Sequence, residues 1–269
     1  MLRPGPVKGG PDDRRGPYDS SGANLDAVQR QPFSEEESGT TERFGALLEA
    51  YKRRETRVPA DRYSRLKPET LLRLQEVERR ILELFREKGV TDLSDKRILE
   101  VGCGTGAWLR FLIQAGASPE QIYGVDLLGN LIREARRKCP QGTNLRCEDA
   151  CESSFPDDSF DIALAMTVFS SILDPSLRKL LARSILRVVR RGGSILWYDF
   201  HVDNPRNPDV RGVRKGEIRD LFTGCSCELR LVTLAPPIGR VVARTPALHL
   251  LLSNVPLLCT HYLGWITRT

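Results

Sequence analysis

One run constrains this chain more than any other: Glu100-Val101-Gly102-Cys103-Gly104-Thr105-Gly106. It follows the apolar stretch Arg97-Ile98-Leu99 and precedes Ala107–Ala115, whose apolar residues have helical spacing. A strand that ends in closely spaced glycines and turns directly into a helix opens a βαβ unit. Glycines are needed there because a Cβ would keep a ligand from the backbone, and because the turn needs positive φ.

The same rhythm continues down the chain. Strands are expected at 97–102, 121–126, 144–149, 160–166 and 194–200, the last reached through the turn Arg191-Gly192-Gly193. The fourth, FDIALAM, is apolar throughout, as a strand buried on both faces is. Helices are expected over 107–115 and 130–138, and from Pro175, with the stripe Leu177, Leu181, Ile185 and Val188. Upstream, Pro68 opens and Gly89 closes a long helix carrying Leu74, Val77, Ile81 and Phe85 on one face. After a helix near 213–222 the pattern changes. Residues 227–235 and 260–268 read as strands flanking Pro236-Pro237 and an apolar helix near 241–253. The fold class is therefore α/β: a doubly wound, mostly parallel seven-stranded sheet with a C-terminal antiparallel hairpin at its edge.

Residues 1–43 are rich in Pro, Gly, Ser and charge and lack apolar periodicity, so they are expected to form a disordered tail. A short helix is expected at 44–58, and the domain runs from 44 to 269. The N-terminal segment has no apolar core of a secretory signal, and no stretch reaches the roughly 18 apolar residues of a membrane span. The seven cysteines include no C-x-x-C, and no histidine sits near the pairs Cys147/Cys151 and Cys225/Cys227, which favours free thiols in a reducing, cytoplasmic setting and no metal site. Lys and Arg number 41 against 35 Asp and Glu, a net charge of +6. With no Lys/Arg run longer than three, the chain is not built as a nucleic-acid binder.

The glycine turn alone leaves two ligands open. Gly102, Gly104 and Ala107 satisfy the G-x-G-x-x-A pattern of dinucleotide sites, and Asp126 closes the second strand where an acid can accept both hydroxyls of a ribose. Glu100, however, stands two residues before the first glycine. Its carboxylate would suit a cationic sulfonium and would oppose a pyrophosphate. The third strand then ends in Glu148-Asp149-Ala150, followed by Phe155-Pro156-Asp157-Asp158-Ser159-Phe160-Asp161, and Val188-Val189-Arg190-Arg191-Gly192-Gly193 leads into the fifth strand.

Taken in order, EVGCGTG, GVD, CEDA, FPDDSFD and VVRRGG resemble the motifs of the class I S-adenosylmethionine-dependent methyltransferases, over roughly residues 60–269. The resemblance implies a Rossmann-like sheet and S-adenosyl-L-methionine as cofactor. It implies that Glu100, Gly102, Gly104 and Gly106, with Cys103 between them, line the methionine side. Asp126 and Leu127 would hold the ribose, Asp149 and Ala150 would face the adenine, and Met166 would close the floor. Tyr63, in the loop before the long helix, is a candidate to close over the cofactor.

Methyl transfer needs an aligned acceptor and, for an acceptor of high pKa, a base. His201, just past the fifth strand, is the candidate catalytic residue, since histidine's ordinary pKa of about 6.5 suits that task. His249 lies on an apolar helix and His261 in an edge strand, so both are read as structural. Residues 200–213 look like a loop over the acceptor, with Arg206 and Arg211 placed to grip it. The late segments are similar to bacterial methyltransferases found with polysaccharide and natural-product enzymes, which implies a small-molecule or glycan hydroxyl as acceptor. No DPPY- or NPPY-like run of amino-base methylation follows the fourth strand. The alternatives are a quinone or lipid C-methyltransferase, an NAD-dependent oxidoreductase and a catalytically silent cofactor-binding module.

Overall fold

All five apolar runs between Ile98 and Phe200 become parallel strands of one sheet. A computed structural model describes residues 44–45, 48–53, 61, 64–204 and 207–269. The tail expected over 1–43, Tyr63 and Arg206 lie outside the described residues, as does all of 54–60. The strands are β1 (Ile98–Val101), β2 (Ile122–Asp126), β3 (Asn144–Cys147), β4 (Phe160–Met166), β5 (Val189–Phe200), β6 (Cys225–Leu234) and β7 (Cys259–Arg268). Their spatial order is β3-β2-β1-β4-β5-β7-β6. The first five are parallel, and β7 pairs antiparallel with both β5 and β6.

Period-two alternation sends side chains to both faces. Leu99, Val101, Ala163, Ala165, Ile195 and Trp197 face one core layer, whereas Ile98, Ile162, Leu164, Leu196 and Tyr198 face the other. Helices α1 (Pro68–Glu87), α2 (Ala107–Gln114) and α3 (Gly129–Lys138) cover the second layer through Val77, Ile81, Leu109, Leu112 and Ile132. Helices α4 (Pro175–Val188) and α5 (Lys215–Leu221) cover the first through Leu181, Ile185, Val188 and Ile218. Between β6 and β7 come α6 (Pro236–Val242) and α7 (Pro246–Leu252).

Three features depart from the sequence-based expectation. Strand β5 begins at Val189 rather than 194: Val189 pairs with Phe160, and Ser194 with Ile162, so the Arg190–Gly193 turn is an excursion within a strand. The apolar helix expected near 241–253 is two helices, because Pro246 lacks an N–H and pushes Thr245 out of helical geometry (φ −128°, ψ 82°). Strand β7, with His261, is interior to the sheet, and β6 is the edge, with alternate residues exposed along its first half.

Under β4 and β2, Phe160 is fully buried, with its ring centroid 5.2 Å from Tyr123 and 5.0 Å from Phe155. Phe160→Ala should lower the unfolding free energy by about 3–5 kcal/mol in a denaturant titration. A loss below about 1 kcal/mol would mean that this aromatic cluster does not support the sheet.

Candidate functional site

The turn after β1 is built by its backbone. The Cys103 N–H donates to the Val125 carbonyl at 2.9 Å, which ties it to β2, and the Gly106 N–H donates to the Cys103 carbonyl at 2.8 Å. Gly102, Gly104 and Gly106 all have positive φ, at 66°, 53° and 72°. At Gly102 a Cβ would stand 2.7 Å from a Val168 methyl carbon, and Gly106 caps α2 from the left-handed region.

Asp126, at the end of β2, locks this turn. One carboxylate oxygen accepts from the Gly104 N–H at 2.8 Å and the other from the Leu128 N–H at 2.9 Å. Burial raises its pKa, and the two N–H donors pull it back down. A carboxylate has about four lone-pair sites, so two bonds leave it able to accept more. Asp149, at the end of β3, accepts from the Cys151 N–H at 2.7 Å and so caps a short 3-10 turn, Ala150–Glu152.

A cavity of about 130 Å³ opens at this end of the sheet. It brings together six of the residues singled out by sequence: Gly102, Asp126, Leu127, Asp149, Ala150 and Met166. Met166 is both floor and core, at 4% exposed. Cys103, Gly104 and Gly106 shape the turn but do not line the cavity wall.

Glu100 is a correction. Alternation along β1 turns Val101 toward the cavity and Glu100 the opposite way, 1% exposed and behind the turn. Burial pushes its carboxyl well above the usual carboxylate range, Asp126 adds to the rise, and Arg110 opposes it. Glu100 Oε2 has no hydrogen-bond partner among the described residues. Glu100 therefore sits behind the turn and not in the cavity wall.

His201 does not line the cavity. It is half-buried past β5, with Nε2 3.0 Å from the Cys259 carbonyl and its ring 4.9 Å from Tyr262. That carbonyl can only accept, so Nε2 carries the proton and Nδ1 is left as the basic nitrogen. Arg211 does not line the cavity, and its guanidinium donates to Glu217 at 2.8 Å.

Several contributors were missed by sequence reasoning. Thr167 lines the cavity with φ 58°, rare for a β-branched residue, and its N–H donates to the Tyr198 carbonyl at 2.6 Å. Nothing in the sequence signals a left-handed threonine. Phe44, Leu48 and Tyr51, from the helical segment before α1, form another wall. Buried Asp199 accepts from the Ser170 N–H at 3.0 Å and fixes the segment after β4, with burial pushing its pKa up to about 6. Arg178, fully buried, donates to the Ile172 carbonyl at 2.6 Å and pairs with Glu217 at 2.6 Å.

Beside them, His261 stacks on Tyr198 with centroids 4.7 Å apart, and burial pushes its pKa down to about 3. The unfolded chain takes up this proton near pH 6.5, whereas the native state resists it until about pH 3. Its contribution to stability is therefore complete above pH 6.5 and is lost as pH falls below that value. Thermal unfolding from pH 7.5 down to 4.5 should show a steeper fall in Tm for the wild type than for His261→Phe. Parallel slopes would contradict the burial of a neutral imidazole.

Residues 98–193 match the family model of a methyltransferase domain. A stretch of 200 residues is 30% identical to the secondary metabolism regulator laeA of Coprinopsis cinerea, covering 66% of this chain and 46% of that protein. The fatty-acid O-methyltransferase of Mycolicibacterium smegmatis is 34% identical over 126 residues, 46% of this chain and 44% of its own. A phthiotriol/phenolphthiotriol dimycocerosates methyltransferase of Mycobacterium ulcerans is 35% identical over 115 residues, 42% of this chain and 41% of its own. The chain thus spans less than half the length of these relatives. Among solved structures, an S-adenosylmethionine-dependent methyltransferase of Mesorhizobium loti superposes with a TM-score of 0.52 at 19% identity, covering 69% of this chain and 96% of that one. The [4+2]-cyclase SpnF superposes with a TM-score of 0.51 at 19% identity, over 71% of this chain and 81% of its own. These two share the fold, and one fold hosts different chemistries.

Proposed function

We propose that this chain, a class I S-adenosylmethionine-dependent methyltransferase, transfers a methyl group to an oxygen of a small-molecule or glycan acceptor. The observation that carries it is Asp126 at the end of β2, locked to the glycine turn and facing the same cavity as Asp149 and Ala150. That arrangement fits S-adenosylmethionine: a cavity wall at Gly102, where a Cβ would press on Val168, and a carboxylate with acceptor capacity left over. When bound, the cofactor supplies a methyl group on a sulfonium, a strong electrophile that carries its own leaving group.

The chain's own residues hold, orient and deprotonate. Asp126 would accept from the ribose hydroxyls with the lone pairs left by Gly104 and Leu128. Asp149 and Ala150 would border the adenine, and Met166 and Leu127 would exclude water from below and beside it. Glu100, buried beneath the turn, would keep the glycines in place. The Cys259 carbonyl fixes the tautomer of His201 outside the cavity wall, and an acceptor that extends past the end of β5 would give its proton to Nδ1.

A second acceptor class, an oxygen on an apolar lipid-like molecule, is favoured by one observation. The segment between β6 and β7 exposes Val241, Leu248, Leu250 and Leu251. Two of the relatives are named for fatty-acid and phthiotriol substrates.

Calorimetry with S-adenosylhomocysteine tests the site. Asp126→Ala should weaken binding by about 1.5–3 kcal/mol, the worth of a hydrogen bond to a charged group. An unchanged affinity in a folded variant would remove Asp126 from the site, and no binding by the folded wild type would end the proposal. For the base, His201→Gln should cut turnover by about 10²–10⁴ in a methyl-release assay while S-adenosylhomocysteine affinity stays constant. A variant with full turnover would leave His201 without a part in proton transfer.

A further inference from the structure

Helix α7 is turned inside out. It buries His249, and the Ser253 that caps its end, at 4% and 1% exposed, and presents Leu250 and Leu251 to water, at 52% and 66%. A helix packed for water alone buries its leucines and shows its polar residues. The rotation is held in place from within. His249 Nε2 lies 3.3 Å from Glu76 Oε2 on α1, and the other oxygen of Glu76 accepts from the Thr233 N–H at 2.7 Å. Turning the leucines inward would break this buried contact.

The exposure is concentrated. Six of the eleven large apolar residues exposed among the described residues are Val241, Leu248, Leu250, Leu251, Val255 and Leu257. They fall within residues 241–257, a concentration along the chain unlike the scatter of single residues normal on a surface. Arg240 and Arg244 are exposed in the same segment, and no Asp or Glu occurs from Ala235 to Leu258. Strands β5 and β6 are both antiparallel to β7, so they run the same way. The segment leaving β6 therefore emerges at the edge of the sheet where the cavity lies.

We propose that this face docks on an anionic lipid surface, with the leucines and valines entering the headgroup boundary and Arg240 and Arg244 meeting the negative headgroups. Charge selects this occupant. A symmetric contact between two copies would bring arginines against arginines with no acid in the segment to neutralise them. A bilayer with anionic lipids offers both the apolar layer and the negative charge. No helix among the described residues is long and apolar enough to cross a membrane, so the contact would lie on the bilayer surface. Docking does not depend on the acceptor chemistry, and its test reads binding rather than turnover.

The full chain is sedimented with vesicles of phosphatidylcholine alone and of phosphatidylcholine mixed with phosphatidylglycerol, without cofactor. Binding to the mixed vesicles should be about tenfold or more tighter than to the neutral ones, from two arginines at the surface, and should weaken with salt. Leu250→Ser/Leu251→Ser should lose at least about tenfold of that binding. Arg240→Gln/Arg244→Gln, which leaves the apolar face intact, should abolish the preference for anionic vesicles, so the outcome does not rest on one variant folding. Absence of binding, equal binding to both vesicles, or binding unchanged in both variants would overturn the proposal. So would light scattering that shows a dimer dissociated by the leucine substitutions in a chain that ignores vesicles. Failure here leaves S-adenosylhomocysteine binding untouched, so the two proposals fail separately.

Discussion

The site depends on one carboxylate bridging two strands. Asp126 stands at the tip of β2, yet one of its oxygens holds the Gly104 N–H in the turn after β1, and the other holds the Leu128 N–H leading into α3. Without it, two N–H donors at the end of the sheet would lose the group that ties the turn after β1 to the start of α3. The same group faces the cavity. Its position is thus set by the fold before any ligand arrives, which is the condition for binding without reorganisation.

Around this point the loops are tied by buried polar groups rather than by apolar packing alone. Asp199 holds the Ser170 N–H, Arg178 holds the Ile172 carbonyl and Glu217, and Glu76 joins α1 to Thr233 and His249. Asp199, Arg178 and Glu76 each have partners, as burial in a low-dielectric interior requires. These ties fix the segment after β4 and the segment between β6 and β7. One backs the cavity, and the other presents an apolar face at the same edge of the sheet.

Local pattern made the parallel half of the sheet legible. The run FDIALAM is β4 residue for residue, and the acid of GVD is the capping carboxylate. Asp149 and Ala150 likewise reach the cavity from β3. What sequence left unread is long-range or geometric. Period two in β1 already places Glu100 opposite Val101, but only the cavity shows which face looks outward. The insertion of β7 between β5 and β6 comes from pairing across the sheet and has no local signature. The left-handed threonines Thr167 and Thr233, with φ of 58° and 69°, are imposed by tertiary contacts on residues that avoid that conformation. The break at Pro246, by contrast, was there to be read, since proline sets a helix start and spoils the residue before it.

The most direct measurement is a double-mutant cycle between protein and ligand. Affinities for S-adenosylhomocysteine and its 2′,3′-dideoxyribose analogue would be compared in the wild type and in Asp126→Ala. A carboxylate that holds the ribose predicts a loss of about tenfold or more on removing the hydroxyls in the wild type, and nearly none in the variant. Equal losses in both proteins would mean that Asp126 shapes the turn and nothing more.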